Sequence, residues 1–390
     1  MTDGTVYLDY AATAAVRPPE VAEAVLAYLT GVGATPGRAG HRRAVEAGRI
    51  AFRCRRALAR LFGVRGDPGR IAFQLNATHA LNAALHGVLR PGDRVVRTRY
   101  DHNAVRRPVA ALVRRGVRET VLSGFPDGRF DLDEAERALR GARLLVLSHA
   151  SNVLGTVAPV AELAARAHAH GALVLVDASQ TAGHLPVDAE ALGIDLLAFA
   201  GHKGLLGPQG TGGLYVRPGL EIEPVFAGGT GGESGAAEMP EAMPDRLEAG
   251  TQNGPGIAGL LAGVEWVLAR GVETIHARQG ELKAGLRAGL AAVPGVRIHS
   301  PAAPEGVGIV LATLDGLDPA ELAARLDRDH GVLTRAGLHC APEAHRLLGT
   351  EAGGAVRFSV GWATTHADVD RAAGAVAAVA RETMAVRAGR

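Results

Sequence analysis

The stretch AFAGHKGLLGPQGTGGLYV (198–216) sets two apolar runs on either side of a glycine-rich turn that carries a lysine. Lys203 is one of two lysines in a chain of 390 residues whose Lys and Arg together number 42, so arginine is the ordinary cation here. A desolvated lysine amine can lose its proton and form an imine with an aldehyde, which a guanidinium cannot do. The flanking runs are short and continuous rather than alternating, as expected of strands covered on both faces.

The same pattern recurs outward from that turn. IAFQ (71–74), DRVVRT (93–98), ARLLVLSH (142–149), ALVLVD (172–177) and DLLAFA (195–200) precede GGLYV (212–216). Amphipathic segments such as THALNAALHGVL (78–89), VAELAARAHAHG (160–171) and the stretch after Tyr100 lie between them. This alternation predicts an α/β domain with a mostly parallel, buried sheet. Residues 226–256 lose all periodicity and are rich in Gly, Pro and Ala, which predicts a long loop. Helices are expected near 256–270 and 272–293. The rest reads as a smaller α+β domain built from VRIHS, GIVLATL, PAELAARLDRDH, VLTR, AVRFSVG and a closing helix from residue 366. The expected division is an N-terminal segment over 1–16 packing on the small domain, a large domain over 17–256 and a small domain over 257–390.

Composition narrows the function classes. The charged fraction is 21%, aromatics are 4% and the formal net charge is +2, so no nucleic-acid surface is expected. No apolar run reaches the roughly 18 residues of a membrane span, and MTDGTVYLDYAAT lacks the layout of a signal peptide. A cytoplasmic protein without membrane or nucleic-acid partners is the expectation. Cys54 and Cys340 lie far apart and indicate no disulfide framework.

In an open α/β sheet, ligands bind beyond the carboxyl ends of the strands. The segments following the strands here carry Thr78, His102, Asn152, Asp177, Gln180, His202 and Lys203. Each has a plain reading alone. Thr78 begins a helix and would cap it, His102 would be a loop histidine, and Asn152 and Gln180 would be turn formers. Asp177 ends a buried strand and needs a partner. Together with Lys203, however, Asp177 suggests pyridoxal phosphate: the lysine holds the aldehyde and the carboxylate keeps the ring nitrogen protonated. The phosphate would lie at the N-terminus of the Thr78 helix, where free N–H groups and the helix dipole favour an anion.

VDASQTAGHLPVD followed by AGHKGLLGPQGTGGLYV resembles the cysteine desulfurase and selenocysteine lyase family of class V aminotransferase-fold enzymes. YLDYAAT, NATHALN, DHNAVRRP, SHASNVLGTV, RLEAGTQN, RAGLHCAPEAH and VRFSVGWATTHADVD agree in the same order, so the resemblance spans the chain. It implies the type I fold of pyridoxal-phosphate-dependent transferases, with a seven-stranded sheet in the large domain. It also implies conversion of L-cysteine to L-alanine, with L-selenocysteine as a second substrate. By resemblance Lys203 carries the cofactor and moves the substrate Cα proton, Asp177 pairs with the ring nitrogen, and Gln180 bonds the ring hydroxyl oxygen. His102 stacks on the ring, while Ala77, Thr78 and His202 hold the phosphate. Thr251 reaches the phosphate of a second copy across a homodimer interface. Asn152 and Arg357 hold the substrate carboxylate, and Cys340 accepts the sulfur as a persulfide for delivery to an acceptor protein. No metal is implied.

Three departures stand out. Ala200 replaces a hydroxyl residue that donates to the phosphate, His79 replaces an acid, and Asp101 replaces a glutamate. Another enzyme on the same scaffold (an aminotransferase, epimerase or other carbon–sulfur lyase) would not need Cys340. A scaffold protein that has lost catalysis would not need the Lys203, Asp177, His102 and Arg357 set.

Overall fold

The computed structural model describes residues 4–37, 39–233, 235–302 and 306–388. The first three residues of the segment expected over 1–16, and the last two of the domain expected to end at 390, lie outside them. The chain runs β1 (Val6–Tyr7), α1 (Pro19–Ala27), α2 (Arg42–Leu61), β2 (Ile71–Gln74), α3 (Ala77–Val88), β3 (Arg94–Thr98), α4 (Asn103–Val113), β4 (Arg118–Leu122), α5 (Leu132–Leu139), β5 (Leu144–Ser148), α6 (Val160–Ala169), β6 (Leu173–Asp177), β7 (Leu196–Ala200) and β8 (Gly212–Val216). It continues with α7 (Gly254–Arg270), α8 (Val272–Ala291), β9 (Val296–Ile298), β10 (Ile309–Leu314), α9 (Pro319–His330), β11 (Val332–Leu333), β12 (Arg335–Gly337), α10 (Pro342–Leu347), β13 (Ala355–Ser359) and α11 (His366–Ala388).

Seven strands form one sheet in the order β2-β8-β7-β6-β5-β3-β4, in which only β8 runs against its neighbours. Each central strand is buried on both faces, which explains its continuous apolar run. Leu145 and Leu147 of β5 face the core under α2, α5, α6 and α7, while Leu144 and Val146 face the core under α3 and α4. Burying such side chains contributes about 1.5–3 kcal/mol each. The edge strand β4 (RETVL) is half solvated and was absent from the sequence expectation.

The second sheet is antiparallel, β12-β13-β10-β9, and packs on α8, α9 and α11. Here VLTR is not one strand. Val332–Leu333 pairs in parallel with β1, and after Thr334 the chain turns so that Arg335–Gly337 pairs with β13. Val6 and Leu8 join the core of this second sheet, which ties the N-terminal segment to it. Helix α7 packs within the core of the large sheet (Ile257, Leu260, Leu261, Val264), so a division near Gly271 suits this packing better than one at 256–257.

Between Val216 and Gly254 the described residues form no strand and only one short 3-10 turn, Asp245–Leu247. Its C-terminal part is anchored by Glu248, whose buried carboxylate accepts from Arg55 Nη2 at 2.6 Å and from the Phe73 backbone N–H at 2.6 Å. Removing either partner of such a buried ion pair costs about 3–5 kcal/mol, because the other charge is stranded. Among the described residues no single helix is long and apolar enough to cross a membrane.

Candidate active site

Strands β2, β3, β5, β6 and β7 are mutually parallel, so their carboxyl ends share one edge of the sheet. A cavity of about 230 Å³ opens there. It is lined by Ala77, Thr78, His102, Asn152, Asp177, Gln180, His202, Lys203 and Arg357, nine residues named from sequence. Two more wall residues, Arg335 and His339, were not named there.

The turn that delivers Lys203 depends on two glycines. A Cβ on Gly204 would collide with the Ala182 carbonyl, and one on Gly183 with the backbone of Gly204. Their absence lets the turn after β7 lie directly against the turn after β6, bringing Lys203 beside Asp177 and Gln180. Burial pushes the Lys203 amine down to about 8. Arg357 and Arg335 push the same way, and Asp177 and Asp9 oppose them. Asp177 accepts through Oδ1 from the Ser179 N–H at 2.9 Å and hydroxyl at 2.5 Å. Its Oδ2 has no partner among the described residues and faces the cavity. The Gln180 amide donates to the Ala11 carbonyl at 3.0 Å, fixing the N-terminal segment over the site.

Thr78 is not the cap of its helix. Asn76 takes that role, its Oδ1 accepting from His79 N–H at 2.9 Å. The Thr78 hydroxyl is thereby spared, and the N–H groups of Ala77 and Thr78 have no partner among the described residues. An unpaired pair of this kind at a helix N-terminus suits an anion. Ala200 adds only a methyl to this wall. His202 Nδ1 lies 3.1 Å from the Thr13 hydroxyl, which leaves Nε2 available.

His102 caps α4, with Nδ1 accepting from the Ala104 N–H at 3.0 Å, so Nε2 carries the proton. Burial lowers its titration to about 4 and keeps the ring neutral at ordinary pH. The preceding Asp101 is fully buried and accepts from the Thr98 and Ser148 N–H groups at 2.7 and 2.8 Å. The aspartate thus ties the ends of β3 and β5 together and sets the loop on which His102 stands.

Arg357 is 1% exposed and already engaged. Nη2 donates to Asp9 at 2.8 Å and Nη1 to the Asn152 carbonyl at 3.0 Å, while buried Nε has no partner among the described residues. Asp9, within YLDYAAT, is a residue that sequence reasoning quoted without giving it a role. Cys340, half-buried, follows the wall residue His339, with Arg335 Nη2 3.8 Å from Sγ. The Cys340 carbonyl accepts from the Asn103 N–H at 2.7 Å, and Asn152 Nδ2 donates to the His339 carbonyl at 2.7 Å. Cys54, by contrast, is fully buried in α2, and burial drives its thiol far up. Thr251 is not brought to the cavity. It is exposed and belongs to a separate hollow with Phe73, Gly210 and Leu247. Among the described residues no cluster of metal-ligating side chains occurs.

The unpartnered groups fit pyridoxal phosphate: two N–H groups for a phosphate, Asp177 Oδ2 for a ring N–H, and a lysine amine of lowered basicity for the aldehyde. The last point has a measurable consequence. Only the free amine captures an aldehyde, so the uptake rate of pyridoxal phosphate by cofactor-free protein should rise with pH and level off above about 8. Stopped-flow absorbance across pH 6–11 checks this, and a midpoint near the 10.4 of an ordinary lysine would contradict it.

Comparison with known proteins agrees along the whole chain. The model of the family described as aminotransferase class-V matches residues 6–372. A probable cysteine desulfurase of Methanothermobacter thermautotrophicus is 34% identical over 373 residues, 93% of this chain and 92% of the relative. A cysteine desulfurase of Escherichia coli is 33% identical over 377 residues, 94% of this chain and 91% of the relative. The apo structure of the cysteine desulfurase from Thermococcus onnurineus superposes with a TM-score of 0.90 at 31% identity, covering 98% of this chain and 96% of the other. The cysteine desulfurase CsdA from Escherichia coli, in an S-sulfonic acid form, gives a TM-score of 0.86 at 28% identity, covering 98% and 96%.

Proposed function

Given that the chain belongs to the class-V aminotransferase family, among its cysteine desulfurases, we propose that it takes sulfur from L-cysteine onto Cys340 and releases L-alanine. Pyridoxal phosphate, when bound, supplies an electron-accepting ring conjugated to the substrate Cα. Lys203, Asp177, Ala77, Thr78 and His202 would hold it, with His102 over the ring and Gln180 at its hydroxyl. The Arg357 guanidinium, steadied by Asp9 and Asn152, binds the substrate carboxylate through Nε and its remaining hydrogens. Lys203 Nζ takes the proton from Cα. Cys340 Sγ attacks the substrate sulfur; the S–S bond forms as the Cβ–S bond breaks, and the bonding pair stays with the carbon skeleton, which gains a proton and leaves as alanine. Arg335 offsets the charge on the attacking thiolate.

The observation that carries this reading is the meeting of Lys203 and Asp177, on one wall, with a cysteine turn bonded to the loops bearing His102 and Asn152. An aminotransferase or epimerase has no use for that cysteine. Since Thr251 does not line the cavity of its own chain, its contact with a phosphate requires a second copy, and we extend the proposal to a homodimer. L-selenocysteine is a second substrate in this reading, because the C–Se bond is weaker and selenium is more readily attacked by a thiolate, and the persulfide passes to an acceptor protein.

The test is direct. Protein loaded with pyridoxal phosphate and a thiol reductant should yield alanine and sulfide from L-cysteine in equal amounts. Formation of pyruvate, or of a racemised amino acid with sulfur retained, would sink the desulfurase reading.

A further inference from the structure

We propose that His345 is a positioning residue for Cys340, acting through His339 to hold the cysteine turn in the left-handed conformation that sets Sγ beside Arg335. The proposal rests on the reading of Cys340 as the sulfur acceptor.

The turn is unusual in its backbone. His339 and Cys340 have φ of +51° and +57° in succession, a region that residues with side chains seldom occupy and that their surroundings must enforce. The two carbonyl contacts, from Asn152 to His339 and from Asn103 to Cys340, tie down one edge of the turn. They leave the side of His339 that faces away from the cavity to be held by something else.

That support is a chain of three side chains. His339 Nε2 lies 3.0 Å from the Arg335 carbonyl and Nδ1 lies 3.0 Å from His345 Nε2; His345 Nδ1 lies 2.8 Å from the Thr350 hydroxyl. A carbonyl can only accept, so His339 carries its proton on Nε2 and Nδ1 must accept. His345 then donates from Nε2 and accepts at Nδ1, and Thr350 donates to it. The Thr350 hydroxyl also lies 3.4 Å from the His345 carbonyl, but the 2.8 Å contact to Nδ1 is the shorter one. The two rings lie edge to edge and nearly coplanar, centroids 5.2 Å apart at 21°, and His345 is fully buried. Burial lowers His339 to about 3 and His345 to about 4, so both stay neutral and the pattern holds at any working pH. The chain also begins at the carbonyl of Arg335, whose guanidinium stands at Cys340 Sγ, so one device sets both the sulfur and its cation. Glu343, one turn further along the same segment, pairs with Arg97 and Arg106.

Without the His345 donor, His339 can relax to an ordinary negative φ, and a displacement of about 1 Å at a reacting atom costs on the order of 100-fold. His345→Leu should therefore lower kcat for alanine formation from L-cysteine by about 30–100-fold, with KM and the absorbance of bound cofactor nearly unchanged. In cofactor-free protein the rate of Cys340 alkylation by iodoacetamide at one fixed pH should change, as Sγ leaves its place beside Arg335. His345→Gln, which can still donate to His339, should recover most of kcat. Thr350→Val, a smaller change, should follow His345→Leu in direction and decides the matter if His345→Leu does not fold. Folded variants with parental kcat and a parental alkylation rate would overturn the proposal. Cys340→Ala, assayed in parallel, separates the two readings. If it turns over L-cysteine at the parental rate, the acceptor reading fails; if it is inactive while the His345 and Thr350 variants are parental, only the positioning role fails.

Discussion

Lys203→Arg should abolish covalent capture of pyridoxal phosphate and reduce alanine formation from L-cysteine by about 10⁴-fold or more. The substitution keeps the positive charge and most of the stem, so it isolates the chemistry. A guanidinium stays protonated at every working pH and offers no lone pair to an aldehyde or to a Cα proton. The cavity, in contrast, is built to strip a lysine of its proton: burial, Arg357 and Arg335 all disfavour the ammonium, and Asp177 only partly compensates. Two functions are lost at once, attachment and proton transfer. Borohydride reduction followed by mass analysis checks the first, since the parent should retain the cofactor at Lys203 and the variant should retain none. Phosphate anchoring through Ala77 and Thr78 does not need Lys203, so the variant should still bind the cofactor reversibly. A variant that captures the cofactor irreversibly would mean that another amine does the work, and Lys283, the second lysine, would be the place to look.

Much of this site was legible from residue order because local pattern and function coincide along the sheet edge. IAFQ and GGLYV were read with the bounds they have in the structure, as continuous apolar runs ended by glycine or by a cap. Apart from Arg357, which lies within β13 of the second sheet, the cavity residues named from sequence stand where those runs end, since parallel strands collect their carboxyl ends on one side. What escaped reading was set by distant partners. RETVL is an edge strand whose charged first residues hide it. VLTR splits because Val332 pairs with Val6 while Arg335 pairs with Arg357, and nothing local to four residues announces two different sheets. Thr78 looked like a cap because threonine commonly is one; Asn76, two residues earlier, competes for the same role and wins it. Asp9 and Arg335 are the instructive misses. A lone acid near the N-terminus and a lone arginine on a short strand read as solvated charges. Only a fold that brings Asp9 to Arg357, 348 positions away, turns them into parts of one electrostatic unit. The short spacing from Arg335 to Cys340 was the available signal for the second.

Cys340→Ala should leave cofactor binding intact and lower alanine formation from L-cysteine by about 10³-fold, the scale expected when an activated nucleophile is removed but binding and proton transfer remain. The argument is one of geometry. Sγ is half-buried, next to the wall residue His339 and with Arg335 Nη2 3.8 Å away, whereas Cys54 is sealed in α2 and cannot substitute. Water is the other candidate nucleophile, and attack on a sulfur is far better served by a soft thiolate. With L-selenocysteine the fall should be smaller, because the weaker C–Se bond, broken with its electron pair left on carbon, reduces the need for a strong nucleophile. The comparison of the two substrates therefore distinguishes a missing nucleophile from a damaged site, which would depress both equally. Mass analysis of the parent after a single turnover without reductant should find one added sulfur on the peptide containing Cys340 and none on that containing Cys54. If Cys340→Ala converts L-cysteine at the parental rate, sulfur leaves without touching position 340. The turn that Asn103, Asn152 and His345 hold so firmly would then need another explanation.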